Sequence, residues 1–555
     1  MITRLETGAD HPAWSPDGRH IAFLSRVRPR ESREISRGGL VFRPPRPGAK
    51  ASPPSEDPPD PRVVDRIIYR EDARYKDGRH AHLFVVEASG KGRPRQVTRG
   101  AHNHTAGLFT PDGKNLLTAS NRLGDPDLDI TQNLLLFPVS GGRMRILTEN
   151  ADCCTSPALS PDGRHLYFIA RPGEKIYAHN QTVRRIPLRG SGEEVLTEAF
   201  DGDAESFGLL PSTGELLFTG NVRGSRGILR VHKPGGAPEP LVEGERIIAS
   251  FTVAKSSDAL AFAATAPEHP ADLFALVPGR GERRLTELNR SFLGKVRLSK
   301  PRELNFTGQG GQPIQGWYMP PVPRRKKAPL VVEIHGGPHV MWGNQFFFEF
   351  QMLASQGFGV FFCNPRGSTG YGLAFTGKLF RNWGVDDSVD VCRGVDAVVR
   401  RGLADRKRLF LTGGSYGGYL SAWIVTHDKR FRAAVLQRGV YNLISFYGCS
   451  DVQMLLEWEF ETFPWDDPEL LWKHSPLPAV RNVETPVLLL HAECDYRAPI
   501  SGAEEFFVAL RRLGKEVKFV RYPREGHELS RSGEPVHRVD RLGRILDWFR
   551  DHLGR

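Results

Sequence analysis

Three residues of different chemistry, each set just beyond an apolar run, have the types needed for acyl transfer. Ser415 lies in "LFLTGGSYGGYLSAW", where G-x-S-x-G separates a strand-like run from an apolar, helix-like segment. This predicts a nucleophile elbow: the serine takes a strained backbone so that its hydroxyl projects, and flanking glycines let strand and helix pass closely. A serine hydroxyl needs a base, and the base needs an orienting acid. Asp495 follows the buried run of "LLLHAECDYRAP", and His527 sits beyond another strand in "KFVRYPREGHELS". His527 is expected to take the serine proton, while Asp495 fixes its tautomer and stabilises the imidazolium. Either residue alone reads as well as a surface loop residue. Their order, their strand-end positions and the elbow together argue for a triad.

A tetrahedral intermediate needs N–H donors aimed at its oxyanion. The backbone N–H of Tyr416, next after the serine, is one expected donor, and Gly337 in "EIHGGPHVMWG" is the other. His335 precedes those glycines and is expected to brace the loop rather than react. Two arginines bear on substrate choice: Arg438 follows the strand "AAVLQ", and Arg497 lies two residues beyond Asp495. Either could hold a substrate carboxylate through paired N–H bonds. The alternative for each is a structural ion pair with a neighbouring acid. Cys449 and Cys494 are expected to be small buried residues, and "NPRGSTGYG" a shaped loop beside the pocket. No His, Asp or Glu cluster has ligand spacing, so neither a metal nor a cofactor is expected.

The elements that must position these residues begin near residue 326. "APLVVEIHGG", "GFGVFFCNPRG", "RLFLTGG", "FRAAVLQRG" and "TPVLLLHAECD" are nearly all apolar, as parallel strands buried on both faces are. Helical segments such as "DDSVDVCRGVDAVVRRG" alternate with them. The expectation is a doubly wound, mostly parallel sheet with its chemistry at the carboxyl ends of the strands. With the order Ser, Asp, His this is an α/β-hydrolase domain over residues 326–555. Residues 291–325 read as a linker and first hairpin.

The first 290 residues have a different grammar. "WSPDGRHIAFLS", "FTPDGKNLLTAS" and "LSPDGRHLYFIA" each set a tight Pro-Asp-Gly turn before an alternating strand. Asp112 and Asp162 stand 50 residues apart, the length of one four-stranded blade. The 95 residues between Asp17 and Asp112 hold one blade plus an insertion, or two blades. Five strand–glycine turn–strand endings follow the opening "MITRLETG", which itself looks like the closing strand of a blade whose beginning is absent. The expectation for residues 1–290 is a β-propeller that is small, open or N-terminally incomplete.

Bulk properties narrow the class. A chain of 555 residues is expected to hold at least two domains. No run reaches the roughly 20 apolar residues of a membrane span, the opening residues are not expected to act as a secretory signal, and six cysteines make no disulfide framework. A cytoplasmic setting without membrane attachment is expected. The net charge of +12 is spread among acids, apart from an excess between Arg26 and Lys50, so no nucleic-acid partner is expected. That excess reads as a solvated loop or a subunit contact.

"HGGP", "NPRGSTGYG", "GGSYGGY", "HAECDYRAP" and "EGHELSRSG", in this order behind a propeller, resemble the prolyl oligopeptidase family, and most of all its acylaminoacyl-peptidase branch. The resemblance implies a serine peptidase whose propeller caps the active site and admits only short peptides. It implies the same triad, Ser415, Asp495 and His527, and the same donors, Gly337 and Tyr416. It also places Arg497 at the mouth of the site and makes a homo-oligomer the expectation. Ala492 departs from the glycine usual after the strand histidine, and no paired-glutamate helix of the dipeptidyl-peptidase kind is recognisable. The leading expectation is an acylaminoacyl-peptidase or oligopeptidase. The alternatives are a serine carboxypeptidase that grips the substrate's C-terminus, a carboxylesterase, and a propeller interaction module with incidental catalysis.

Overall fold

A computed structural model describes residues 5, 7–28, 61–123, 125, 127–150, 152–160, 162–173 and 176–554. The opening strand signal and most of the basic stretch from Arg26 to Lys50 lie outside the described residues. Packing divides the chain into two units. One comprises Met1–Tyr69, Tyr75–Glu174 and Gln181–Thr197; the other comprises Arg70–Arg74, Lys175–Asn180 and Glu198–Arg555.

The first unit holds three four-stranded antiparallel sheets. Their Pro-Asp-Gly turns share one chemistry. Ser15, Thr110 and Ser160 each donate a hydroxyl to the turn aspartate at 2.6 Å, and Gly18, Gly113 and Gly163 all take φ +68. Positive φ is the conformation that glycine adopts without a Cβ penalty. Among the described residues the long gap after Asp17 belongs to one four-stranded sheet, Asp10–Trp14, His20–Val27, His80–Glu87 and Arg95–Gln96, with the insertion, which carries the strand pair Arg70–Glu71 and Arg74–Tyr75, between its second and third strands.

The second unit opens with two further four-stranded groups, from Ala204–Leu209 to Gly281–Arg284, joined by one parallel pairing of Arg226 with Ile247. It continues into an eight-stranded sheet. In chain order its strands are β1 (Arg302–Thr307), β2 (Pro313–Met319), β3 (Ala328–Ile334), β4 (Gly359–Asn364), β5 (Ala404–Gly414), β6 (Ala433–Gln437), β7 (Val487–Ala492) and β8 (Val517–Tyr522). The spatial order is β1-β2-β4-β3-β5-β6-β7-β8, with every pairing parallel from β4 onward. This is the α/β-hydrolase sheet.

The apolar runs are continuous because both faces are covered. Along β3, Leu330, Val332 and Ile334 enter one core cluster, while Val331 enters the other. Along β5, Leu409 and Leu411 oppose Phe410 in the same way. The parallel register then aligns the strand ends. Ile334 pairs with Gly413, Gly414 with Gln437, and Gln437 with Leu490. Whatever follows Ile334, Gly414, Gln437 and Ala492 therefore emerges along one edge of the sheet.

Candidate active site

Ser415 follows β5 and begins the helix α1 (Tyr416–His427), with φ +61 and ψ −123. A non-glycine residue there is strained. The strain is held by the surroundings: the Ser415 N–H donates to the Gln437 carbonyl at 3.0 Å. The Ser415 Oγ lies 3.0 Å from His527 Nε2, and His527 Nδ1 lies 2.8 Å from Asp495 Oδ2. The structure thus brings together three residues separated by 80 and 32 positions of chain. Asp495 is held by two backbone donors, Arg497 N–H at 3.0 Å and Ala498 N–H at 2.8 Å, both to Oδ1. Burial opposes its charge, but the facing His527, His491 and the Ala498 N–H hold its carboxyl below the usual range. His491 braces the same turn, its Nε2–H donating to the Ala498 carbonyl at 2.7 Å.

Each glycine of the elbow answers a specific close approach. A Cβ at Gly413 would stand 2.6 Å from the Gly417 carbonyl oxygen; at Gly417, 2.2 Å from that of Ile334; at Gly418, 2.5 Å from that of Gln437. These neighbours are backbone and cannot swing aside. Gly336 faces the serine, where a Cβ would lie 3.3 Å from Ser415 Cβ, and Gly337 takes φ +114. Tyr416 opens its helix, so its N–H has no intrahelical acceptor. His335 is buried, donates from Nδ1 to the Gly336 carbonyl at 2.7 Å and reaches Ser368 Oγ from Nε2 at 2.9 Å. Burial drops its pKa to about 4, so it is neutral. It ties "HGG" to "NPRGSTGYG", as a bracing residue should.

The sequence profile of the prolyl oligopeptidase family matches residues 344–555. The chain is 33% identical over 574 residues to the Bacillus subtilis protein named uncharacterized peptidase YuxL, covering 100% of this chain and 84% of that one. The chain belongs to the prolyl oligopeptidase family. It is also similar to the acylamino-acid-releasing enzyme of Rattus norvegicus, 32% identical over 243 residues, or 42% of this chain and 32% of that one. The solved structure of Pyrococcus horikoshii acylaminoacyl peptidase matches with a TM-score of 0.83 at 23% identity, over 99% of this chain and 82% of that one, a likeness of fold. The enzyme is a serine peptidase of this family.

In this family member the two arginines part company. Arg497 is engaged by Asp451, with Nε 2.5 Å from Oδ1, which is the structural ion pair. Asp451 also accepts from the Asp72 N–H at 2.7 Å, and Asp72 returns a carbonyl to the Tyr496 N–H at 3.1 Å, so the acid turn is pinned from residues 70–74. Arg438 has no side-chain partner among the described residues. Cys449 and Cys494 are half-buried free thiols, less enclosed than expected. Contrary to the expectation of no ligand cluster, Glu525, Glu534 and His537 bring ligand atoms within 4.8 Å. Those groups already serve one another: Glu525 accepts from the Glu534 N–H and from His537, and Glu534 pairs with Arg524.

Two features lay beyond sequence reading. Asp387, wholly buried, accepts the Tyr416 hydroxyl at 2.6 Å and so anchors the residue after the serine. A small cavity of about 10 Å³ lies between the loop after β6 and the Asp495 turn, lined by Gly439, Tyr441, Asn442, Phe446, Ala498 and Pro499. Gly439 packs on Gly418 of the serine's own helix. Among the described residues no helix is long and apolar enough to cross a membrane.

Proposed function

We propose that this enzyme is an acylaminoacyl-peptidase or oligopeptidase that hydrolyses short peptides through an acyl-enzyme. The observation that carries this is the unbroken line from Ser415 Oγ to His527 to Asp495, at 3.0 and 2.8 Å. In the proposal His527 takes the serine proton as Oγ attacks the scissile carbonyl. Asp495 keeps the proton on Nδ1 and stabilises the imidazolium. The N–H groups of Tyr416 and Gly337 receive the oxyanion. His527 then protonates the leaving amine, and water repeats the sequence on the ester. The names of the rat relative and of the Pyrococcus neighbour support N-acylated substrates.

The carboxypeptidase reading is weaker, because Arg497 is committed to Asp451. As part of the same proposal, residues 1–290 form a β-propeller of which the five four-stranded units are blades, residues 291–325 link it, and residues 326–555 are catalytic. The enzyme works in the cytoplasm as a homo-oligomer; a light-scattering mass near 62 kDa would reject the oligomer. The deciding experiment is a digest of matched short peptides, with free or acetylated N-termini and free or amidated C-termini, read by mass spectrometry. Release of the acetylated first residue, indifferent to amidation and absent in Ser415→Ala, is expected. Release of the last residue, lost on amidation, would overturn the substrate class, and cleavage by Ser415→Ala at a similar rate would overturn the mechanism.

A further inference from the structure

A cavity of about 10 Å³, room for a single small particle, lies behind the elbow, beneath the histidine loop. Its walls include Arg438 and Arg541, the apolar side chains of Leu490, Ala492 and Leu529, and Gly526, which immediately precedes His527. Arg541 is 5% exposed and is partly served: Nη1 lies 2.8 Å from Glu349 Oε2 and donates to Gln437 Oε1 at 2.5 Å. Its Nε, fully enclosed, has no partner among the described residues. The Nε of Arg438 is likewise enclosed and unpartnered.

The local charges do not cancel. Two guanidinium groups face this cavity, and Glu349 is committed to one of them. Glu333, 5% exposed and beside Glu349, is driven well above the usual carboxyl range by burial and by that neighbour's charge, both of which disfavour its charged form. Asp495 acts on Arg438 from a distance but is spent on His527 and two backbone N–H groups. Arginine cannot escape by losing its proton; burial brings Arg438 down only to about 10. Arg438 is half-buried with its Nε enclosed, and a partly desolvated cation without a counter-charge is costly.

We propose that the enzyme binds a small inorganic monoanion, of chloride size, between the guanidinium groups of Arg438 and Arg541 in this cavity. The enclosed Nε–H groups of the two guanidinium groups supply charge-assisted hydrogen bonds. The remaining apolar wall suits a weakly hydrated monoanion over a phosphate, which needs more donors than the cavity offers. The site also has a route to catalysis. The Arg438 guanidinium lies against Gly414, where a Cβ would be 2.9 Å from Nη2, directly behind the nucleophile. An anion held there neutralises Arg438 and removes its pull on Asp495, leaving that carboxylate to His527. Arg438 and Arg541 are thus positioning residues. Binding stands apart from the substrate assignment; only the rate effect rests on it.

The test uses the full chain exchanged into sodium gluconate, titrated with chloride or bromide at constant ionic strength. We expect a saturable rise in thermal midpoint and a saturable rise in kcat of roughly tenfold, the worth of one charge-assisted hydrogen bond, with KM little changed. Arg438→Gln should lose both responses and Arg438→Lys should keep part of them. Bromide-soaked crystals should show anomalous density between the two guanidinium groups. A wild-type midpoint indifferent to halide overturns the proposal, whether or not Arg438→Gln folds. So does a halide response unchanged in folded Arg438→Gln. Bromide density without any halide response marks an adventitious ion only. Cleavage lost on C-terminal amidation, with no halide response, would assign Arg438 to the substrate carboxylate instead. If no peptide is cleaved, the midpoint and the bromide density still decide the site.

Discussion

Replacing Asp387 with asparagine isolates the energetic cost of the group that anchors Tyr416, the residue after Ser415. Asp387 is 1% exposed and accepts the Tyr416 hydroxyl at 2.6 Å. Burial, with the charge of Asp390 adding to it, raises its pKa from 3.8 to about 7, although the Tyr416 bond pulls the other way. The sign follows from linkage. Between these two values the native chain holds a proton that the unfolded chain has released, so stability falls as pH rises and has lost this contribution above about 7. From pH 5 to pH 7 the loss is at most two pH units at 1.36 kcal/mol each, or about 3 kcal/mol; relaxation around the ionised group brings the expectation to about 2 kcal/mol. Asparagine cannot titrate, yet its Oδ1 can accept the same hydroxyl. Urea unfolding of wild type and Asp387→Asn, followed by the tryptophan signal at pH 5 and pH 8, should therefore give a variant that gains about 2 kcal/mol on wild type between the two. Parallel pH profiles would refute the reasoning. Asp387→Ala, which strands the Tyr416 hydroxyl, should be destabilised at both pH values by about 1–3 kcal/mol.

Two further outcomes test the geometry around the serine. Gly417→Ala would place a methyl 2.2 Å from the Ile334 carbonyl oxygen, so the strand or the helix must shift; we expect a loss above about 4 kcal/mol, read as a collapsed thermal midpoint or insolubility. A midpoint within a few degrees of wild type would mean that the two elements are not in tight contact. Asp495→Asn keeps the shape but would hold His527 in the wrong tautomer, lowering kcat by about 10⁴-fold with KM near wild type in a peptide assay. A fall of less than tenfold would remove Asp495 from its role.

The turn around Ser415 was legible because its pattern is local in sequence: glycines crowd the exit of one apolar run, and the apolar runs record burial on both faces of the sheet. The backbone that requires those glycines comes partly from afar, Ile334 standing 83 residues before Gly417. The Pro-Asp-Gly turns are legible for the same reason: Ser15, Asp17 and Gly18 complete their chemistry among themselves. Partners chosen across the fold left no such trace. Asp387 meets Tyr416 from 29 residues away, and Asp451 meets Arg497 from 46. At those distances an acid near a strand end reads like any other.

Arg438 shows why side-chain direction at a strand end needs coordinates. Along β6, Ala434 and Leu436 point into one core cluster, and Ala433 and Val435 into the other. Strict alternation would send Arg438 with Leu436. Instead it lines its cavity with Leu490 and Leu529, which belong to the opposite cluster. The reason is its backbone, at φ +40, which breaks the pleat directly after Gln437. A non-glycine residue pays for that conformation only when its surroundings impose it. Here the Gln437 carbonyl must receive the Ser415 N–H and the Arg438 N–H must reach the Leu490 carbonyl at 2.8 Å. The hydrogen bonds that hold the serine in its strained position also turn the next side chain behind the elbow. A guanidinium that follows a strand end in the sequence is thereby placed against Gly414, behind the Ser415 turn.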